Sequence, residues 1–374
     1  MKAIYLVISA TVLSILYGCG GSSGAIGGTT TVVPSSVQPT QGGAYVLSVF
    51  AEAPGMLRPD DLLQLGNTLF VVYQDNNDNP DGTIAAGVAA AQSEVIEYDL
   101  QGNVLQTFDV PGHPDGLVAY NATTVWVSSN EDANPLIITI DTSTNTTKTL
   151  KSDVATLPHG GGLDDMKVIG GVVYASGSNP TLTFTPVPNL APYSTDTSGS
   201  TAVNGVSTEP AIYAISLNAD GITFHATPVL MSSTPATLLP GNTAITLNMT
   251  DPDSSAIDPN GDLVTVSQQD SEIVYIHNLD TTSPSVSVLP LTLYGNPWPV
   301  DDLRWSPASG SSFILLSDNK GQLVYRIDAA SGFAPNTAYG AGQGTLLKID
   351  TTKGVMTPIY VGMNTPHGLI FVSD

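Results

Sequence analysis

This 374-residue sequence has little cysteine and little base. With Cys19 as its one cysteine, no internal disulfide can form, so packing and hydrogen bonds must hold the fold. Ten Lys and Arg face 33 Asp and Glu, for a formal charge of -23. Phosphate recognition needs clustered bases, so nucleic acid is excluded as a partner class. Glutamate is scarce too: six of the 33 acids are Glu and 27 are Asp. Asp is the acid of turns and metal loops rather than of helices, and no stretch beyond the N-terminal segment carries helical periodicity. There is no Cys nucleophile and no C-x-x-C-H pattern for haem. Gly340, Gly342 and Gly344 are spaced like part of a phosphate fingerprint, but they lead into the strand-like "TLLKID" rather than a helix, so no nucleotide cofactor is expected. Hydrophobic residues make up 41%, which excludes general disorder.

What is present begins with "MKAIYLVISATVLSILYGCGG", whose apolar run from Ala3 to Leu16 is short for a spanning helix. Its "LYGC" tetrad resembles the lipobox of bacterial lipoproteins, which implies a signal over 1–18 and a lipid on Cys19. Gly20 after the cysteine then implies the outer membrane as address, with the lipid as the only membrane contact. Residues 19–43, rich in Gly, Ser, Thr and Pro, read as a tether to a domain over 44–374. Gly20, Ser22 and Gly24 fit G-x-S-x-G, but no strand and helix flank them as a nucleophile elbow requires.

The domain repeats itself. "RPDDLLQLGNTLFVV", "HPDGLVAYNATTVWVSS", "GLDDMKVIGGVVYAS" and "PVDDLRWSPASGSSFILL" each set an acidic turn before an apolar strand. Asp60, Asp115, Asp164, Asp253 and Asp301 lie 55, 49, 89 and 48 residues apart, and His367 lies 66 further on. Gly66, Asn121 and Gly170 open hairpins six residues after their acids, and third and fourth strands such as "SEVIEYDLQGN" and "VLQTFDV" follow. Four-stranded antiparallel units repeated in this way predict an all-β propeller. Five complete units are read, with "PVDDLRWSPASGSSFILL" as the first two strands of the fifth and "GFAPNTAYGAGQG" as an insertion after it. "HGLIFVSD" begins a sixth blade that N-terminal strands, chiefly "AYVLSVFAE", complete; "TLLKID" is left as a spare strand. Six blades is the expectation, with five or seven as alternatives.

In such a fold the repeated turns ring the central channel. The expected mouth holds Asp60, Asp61, Asp115, Asp164, Asp165, Asp253, Asp301 and Asp302, with His367 at the sixth position and His113 and His159 in the same connections. Oxygen-rich rings with occasional imidazole suit Ca²⁺ or Mg²⁺ first and a transition metal second, with Asp115, Asp164 and Asp301 as the candidate ligands. The plainer reading is that each Asp caps its own turn, although a pair such as Asp164 and Asp165 exceeds what one cap needs. A second candidate, "DNNDNPDGT", alternates Asn77, Asn79 and Asp81 before Gly82 like a calcium loop, but Val88 stands where the closing Glu belongs. His225 and His277 fall on outer strands as ordinary packing or surface residues.

Units such as "HPDGLVAYNATTVWVSS" and "DPNGDLVTVSQQDSEIVYIHNLDTT" resemble those of the NHL and SMP-30/gluconolactonase-like six-bladed propellers over roughly 44–374. That resemblance implies a divalent cation in the channel, held by an early Glu and by Asn and Asp of later blades. Here Asp60 stands in the early turn, Glu52 eight residues before it, and Ser254 and Gly368 at the later turns. Streptogramin-lyase-like propellers imply a channel His, for which His113, His159 and His367 are candidates. The expected function is a monomeric, lipid-tethered envelope propeller that binds a protein or small molecule. The alternative is a metal-dependent hydrolase or lyase. Scarce bases also limit positive self-repulsion at low pH, which suits an acidic habitat.

Overall fold

Strands with no polar face are buried on both sides, and Thr68–Gln74, "TLFVVYQ", shows how that is achieved here. Leu69, Val71 and Tyr73 pack to one side with Phe313, Leu315 and Val372, while Phe70 and Val72 pack to the other with Val125, Val127 and Ile138. Successive side chains of a strand point to opposite faces, so each sheet is sandwiched between two others. A computed structural model describes residues 32–373 apart from 90, 91, 155, 179–184, 187–204, 207, 282, 283 and 311. The segment read as a signal, Cys19 and the G-x-S-x-G match lie outside the described residues.

The described residues are all-β, without a helix, and form six four-stranded antiparallel units. Blade 1 is Arg58–Leu65, Thr68–Gln74, Ser93–Asp99 and Val104–Val110; blade 2 is Pro114–Asn121, Thr124–Ser129, Leu136–Asp141 and Thr146–Ser152. Blade 3 is Met166–Ile169, Val172–Ser176, Pro210–Leu217 and Thr223–Met231; blade 4 is Pro252–Ile257, Leu263–Ser267, Glu272–His277 and Ser285–Pro290. The inner strands touch one another in a closed cycle, and six buried clusters each fill the space between one pair of neighbouring blades. The fold is a β-propeller. Burying one Val, Leu, Ile or Phe contributes about 1.5–3 kcal/mol, and these interfaces repeat that gain without any disulfide.

The last two blades correct the reading from sequence. Asp302–Trp305 pairs with Ala338–Gly342, not with the strand that follows it in the chain. Blade 5 is therefore Asp302–Trp305, Ala338–Gly342, Thr345–Asp350 and Val355–Val361. "AYGAG" is a strand rather than part of an insertion, and "TLLKID" is its partner rather than a spare. Ser312–Asp318 and Leu323–Ala329 form the middle of blade 6. The C-terminal Pro366–Ser373 is that blade's inner strand, and Tyr45–Glu52 is its outer one. One N-terminal strand thus closes the ring where more were expected, because residues 312–329 leave blade 5 and supply the rest. Outside the fourth strands lie the hairpins Pro235–Leu238 with Thr243–Thr246, and Thr292–Leu293 with Asn296–Pro297. Gln38–Pro39, in the stretch read as tether, pairs with Val361 and Tyr360, and Val37 is buried nearby.

Candidate functional site at the channel mouth

A pair of residues stands at the head of each inner strand, within its first residues or just before it: Asp60-Asp61, Asp115-Gly116, Asp164-Asp165, Asp253-Ser254, Asp301-Asp302 and His367-Gly368. The first members all line one cavity of about 420 Å³, forming a ring of five carboxylates and one imidazole.

The second members do different work in alternate blades. Asp61 accepts the N–H of Leu62 at 2.7 Å and, across to blade 2, that of Leu117 at 2.7 Å. Asp165 does the same with Met166 at 2.6 Å and Ser255 of blade 4 at 2.8 Å, and Asp302 with Leu303 at 2.7 Å and Leu369 of blade 6 at 2.8 Å. These three carboxylates clamp blades 1 to 2, 3 to 4 and 5 to 6. Two of the remaining second positions are glycine for a steric reason: a Cβ on Gly116 would lie 2.6 Å from the Cα of Asp165, and one on Gly368 would lie 2.8 Å from the Cα of Asp61. Arg304 joins the clamps. Its guanidinium pairs with Asp302 and approaches Asp61 at 3.7 Å and Asp165 at 3.8 Å, while Lys167 pairs with Asp165. Burial still pushes Asp302 up to about 8 against the pull of Arg304, and pushes Asp61 up to about 6, with the charge of Asp165 adding to the rise.

The second strands bring further groups that the repeat did not reveal. Glu131, Gln268 and Asn319 lie just beyond those strands and Gln74 ends one; with Asp251, Gln269, Lys320 and Thr365 they complete the mouth. Gln74 donates to Asp60 and, at 3.5 Å, to Asp115, while accepting from Asn319 at 3.1 Å. Gln268 donates to Asp301 at 2.6 Å. A readable signal exists in "VVYQ", "VWVSSNE", "VTVSQQD" and "ILLSDN", where polar side chains follow each β-branched run.

Crowded carboxylates in a buried place hold protons. Burial first, and neighbouring acids second, raise Asp115, Asp164 and Asp253 well above the ordinary carboxylate range. Glu131 rises to about 8, by burial and then Asp132, and Asp251 to about 6, by burial and then Asp270. Burial lifts Asp301 to about 6 although His367 opposes it. Burial alone would lower His367, but Asp301 and Asp60, the latter at 3.1 Å, outweigh it and hold the ring at about 10. His113 also lines the mouth; its main-chain N–H binds Asn130, its Nδ1 is buried without a partner, and burial lowers it against the pull of Asp60.

Oxygens of Asp115, Glu131 and Asp164 all lie within 4.8 Å of one another. Two ligands of one ion are separated by at most twice the metal–oxygen distance, about 4.6–5.2 Å for Ca²⁺ and about 4.0–4.2 Å for Mg²⁺. Three carboxylate donors this close together fit a hard divalent cation. Asp301, proposed from sequence beside Asp115 and Asp164, instead pairs with Gln268 and His367, and Glu131 stands in its place.

Two other expectations land elsewhere. His159 is fully buried away from the cavity, with Nδ1 2.5 Å from the Tyr213 hydroxyl, and burial lowers it to about 4. Asp302 is a clamp rather than a lining residue. In the loop with Asn77, Asn79 and Asp81, the Asp81 carboxylate takes the N–H and hydroxyl of Thr83, Asn79 donates to Thr83, and Asn77 donates to the Ala89 carbonyl. His225, on the outer strand of blade 3, and His277, on the third strand of blade 4, pair with Asp153 and Asp262.

No family model matches the sequence, and no curated protein matches it at a significant level. Solved structures do superpose on it. One assigned as a gluconolactonase does so with a TM-score of 0.48 at 9% identity, covering 90% of this chain and 91% of its own. A streptogramin B lyase gives 0.42 at 11%, covering 88% and 98%. An inactive virginiamycin B lyase from Staphylococcus aureus, with quinupristin, gives 0.43 at 11%, covering 88% and 96%. The chemistry of this chain therefore rests on the residues of its own channel mouth.

Proposed function

We propose that the propeller is a ligand-binding platform of the cell envelope, and that its mouth holds one hard divalent cation, calcium in first place, on Asp115, Glu131 and Asp164. The observation that carries this reading is the convergence of those three carboxylates within a ring already too acidic to ionise fully. A bound cation would supply an exchangeable coordination position for oxygen atoms of a ligand. His367, kept charged by Asp60 and Asp301, marks the opposite side of the mouth with a fixed donor. The lipid on Cys19 would place this face at the envelope, for a small-molecule or protein partner met by a single copy of the chain.

A second reading, a metal-dependent hydrolase or lyase, is favoured by one observation. His113 presents a buried Nδ1 with no partner, beside the ring and lowered toward the neutral form, which suits it to accept a proton. Thermal unfolding of the purified protein across Ca²⁺, Mg²⁺ and Mn²⁺ tests the shared premise. Calcium should raise the melting temperature of the wild type and leave Glu131→Gln unmoved. Equal insensitivity of both proteins to all three ions and to EDTA would remove the cation from the account.

A further inference from the structure

A separate cleft of about 300 Å³ opens between blades 4 and 5, where their inner strands end at Ile257 and Trp305, away from the mouth residues that begin them. Its walls are aromatic. Tyr275 and His277, two apart on the third strand of blade 4, lie with rings parallel within 5° and 6.1 Å apart, and Trp305 faces the same space from blade 5. Hydrogen bonds fix the imidazole: Nδ1 donates to Asp262 at 2.7 Å and Nε2 meets the Ser287 hydroxyl at 2.8 Å.

The Tyr275 side chain carries the argument. The residue is 8% exposed, it lines the cleft, and its hydroxyl is buried with no hydrogen-bond partner. Such a group costs about 1–3 kcal/mol unless something binds it. A tyrosine at a site where phenylalanine would pack equally well points to a ligand that does.

The lining also restricts what that ligand is. Among the described residues no Lys or Arg lines the cleft, so phosphates and carboxylates find no counter-charge there. The one carboxylate in the lining, Asp258, is occupied by its own turn, accepting from the main chain of Asn260 at 2.8 Å and of Asp262 at 3.0 Å and from the Asn260 amide at 2.9 Å. A cation would therefore find no free negative partner. What remains are aromatic and apolar faces, the unengaged hydroxyls of Tyr275 and Thr351, and the exposed rim residue Asn336. We propose that this cleft is a second ligand site, independent of the mouth, which takes one neutral pyranose residue with its apolar face on Trp305 and its hydroxyls toward Tyr275 and Asn336.

The test titrates the full-length protein with glucose, galactose and N-acetylglucosamine in turn, followed by saturation-transfer NMR and tryptophan fluorescence. At least one sugar should receive transfer with millimolar affinity. Trp305→Ala should abolish the signal, and Tyr275→Phe, which keeps the ring and its packing, should weaken binding about tenfold, the loss of one buried hydrogen bond. The mouth variant Asp164→Asn should bind the sugar as the wild type does. The proposal fails if no sugar receives transfer, or if transfer survives both Trp305→Ala and Tyr275→Phe. Fluorescence that responds to tetramethylammonium and not to the sugars would also overturn it, assigning the cleft to cations.

Discussion

Neighbouring aspartates of one inner strand should respond to substitution with opposite signs. Asp165 accepts the main-chain N–H groups of Met166 and Ser255, both within buried strand ends. In Asp165→Ala these donors lose their partner, at about 1–3 kcal/mol each, so the expected loss is about 2–6 kcal/mol before any effect of releasing Lys167. Asp164 has no such bonds to lose, and burial with Asp253 and Asp115 nearby makes its charge unwelcome. Asp164→Asn should therefore stabilise the cation-free protein, and the gain should shrink as pH falls from about 8 to about 5, toward the unfolded carboxyl's range near 4. Urea unfolding of both variants in EDTA at the two pH values reads the difference as a change in midpoint. Asp61→Ala and Asp302→Ala should fall in the same range as Asp165→Ala, since each also loses one bond within its blade and one to the next. The reasoning is refuted if Asp165→Ala costs under about 1 kcal/mol, or if Asp164→Asn destabilises as much as Asp165→Ala does.

Three further outcomes follow from the same geometry. Cation-free protein should lose stability as pH rises from about 5 to about 8. Glu131, Asp61, Asp251, Asp301 and Asp302 have native values of about 6 to 8, above their unfolded ones, so the native state binds more protons through this window. His367, raised to about 10, adds to the loss above its unfolded value, while His159, lowered to about 4, opposes it below about 6.5. For Glu131 alone, the rise from 4.5 to about 8 is worth on the order of 5 kcal/mol, so melting curves across pH should show the decline and calcium should reverse it. Gly116→Ala and Gly368→Ala should each cost about 1–3 kcal/mol in chemical unfolding because backbone lies in the way, whereas Ser254→Ala should be nearly neutral. Calcium binding at about pH 7 should release protons from Glu131, seen as calorimetric heats that depend on the buffer's ionisation enthalpy.

The repeat itself was open to reading, because an acidic turn before a β-branched run recurs wherever an inner strand begins. Which Asp of each pair faces the channel was not, since alternation assigns opposite sides without saying which side is the mouth. All four of Asp60, Asp61, Asp164 and Asp165 line the mouth, but that Asp61 and Asp165 also clamp neighbouring blades shows only once the blades are closed. Strand exchange between blades 5 and 6 was hidden for a related reason. Pairing is a long-range choice, and Ser312–Asp318 carries a stronger local β signal than "AYGAG". The smallness of that segment has a packing cause: a Cβ on Gly340 would sit 3.0 Å from Ile349 and 3.3 Å from the Asp302 carbonyl. Glu131 escapes the repeat because it stands beyond a second strand, away from the acidic turns. His159 was misplaced because a histidine near the same connection fits equally well against the buried ring of Tyr213.

Calcium stoichiometry by isothermal titration at about pH 8, on protein first stripped with EDTA, tests the cation site most directly. The account predicts one Ca²⁺ per chain for the wild type, and its loss in Glu131→Gln and in Asp115→Asn, with both variants remaining folded. Wild-type protein that takes up no calcium, or a Glu131→Gln variant that binds it with undiminished affinity, would contradict it.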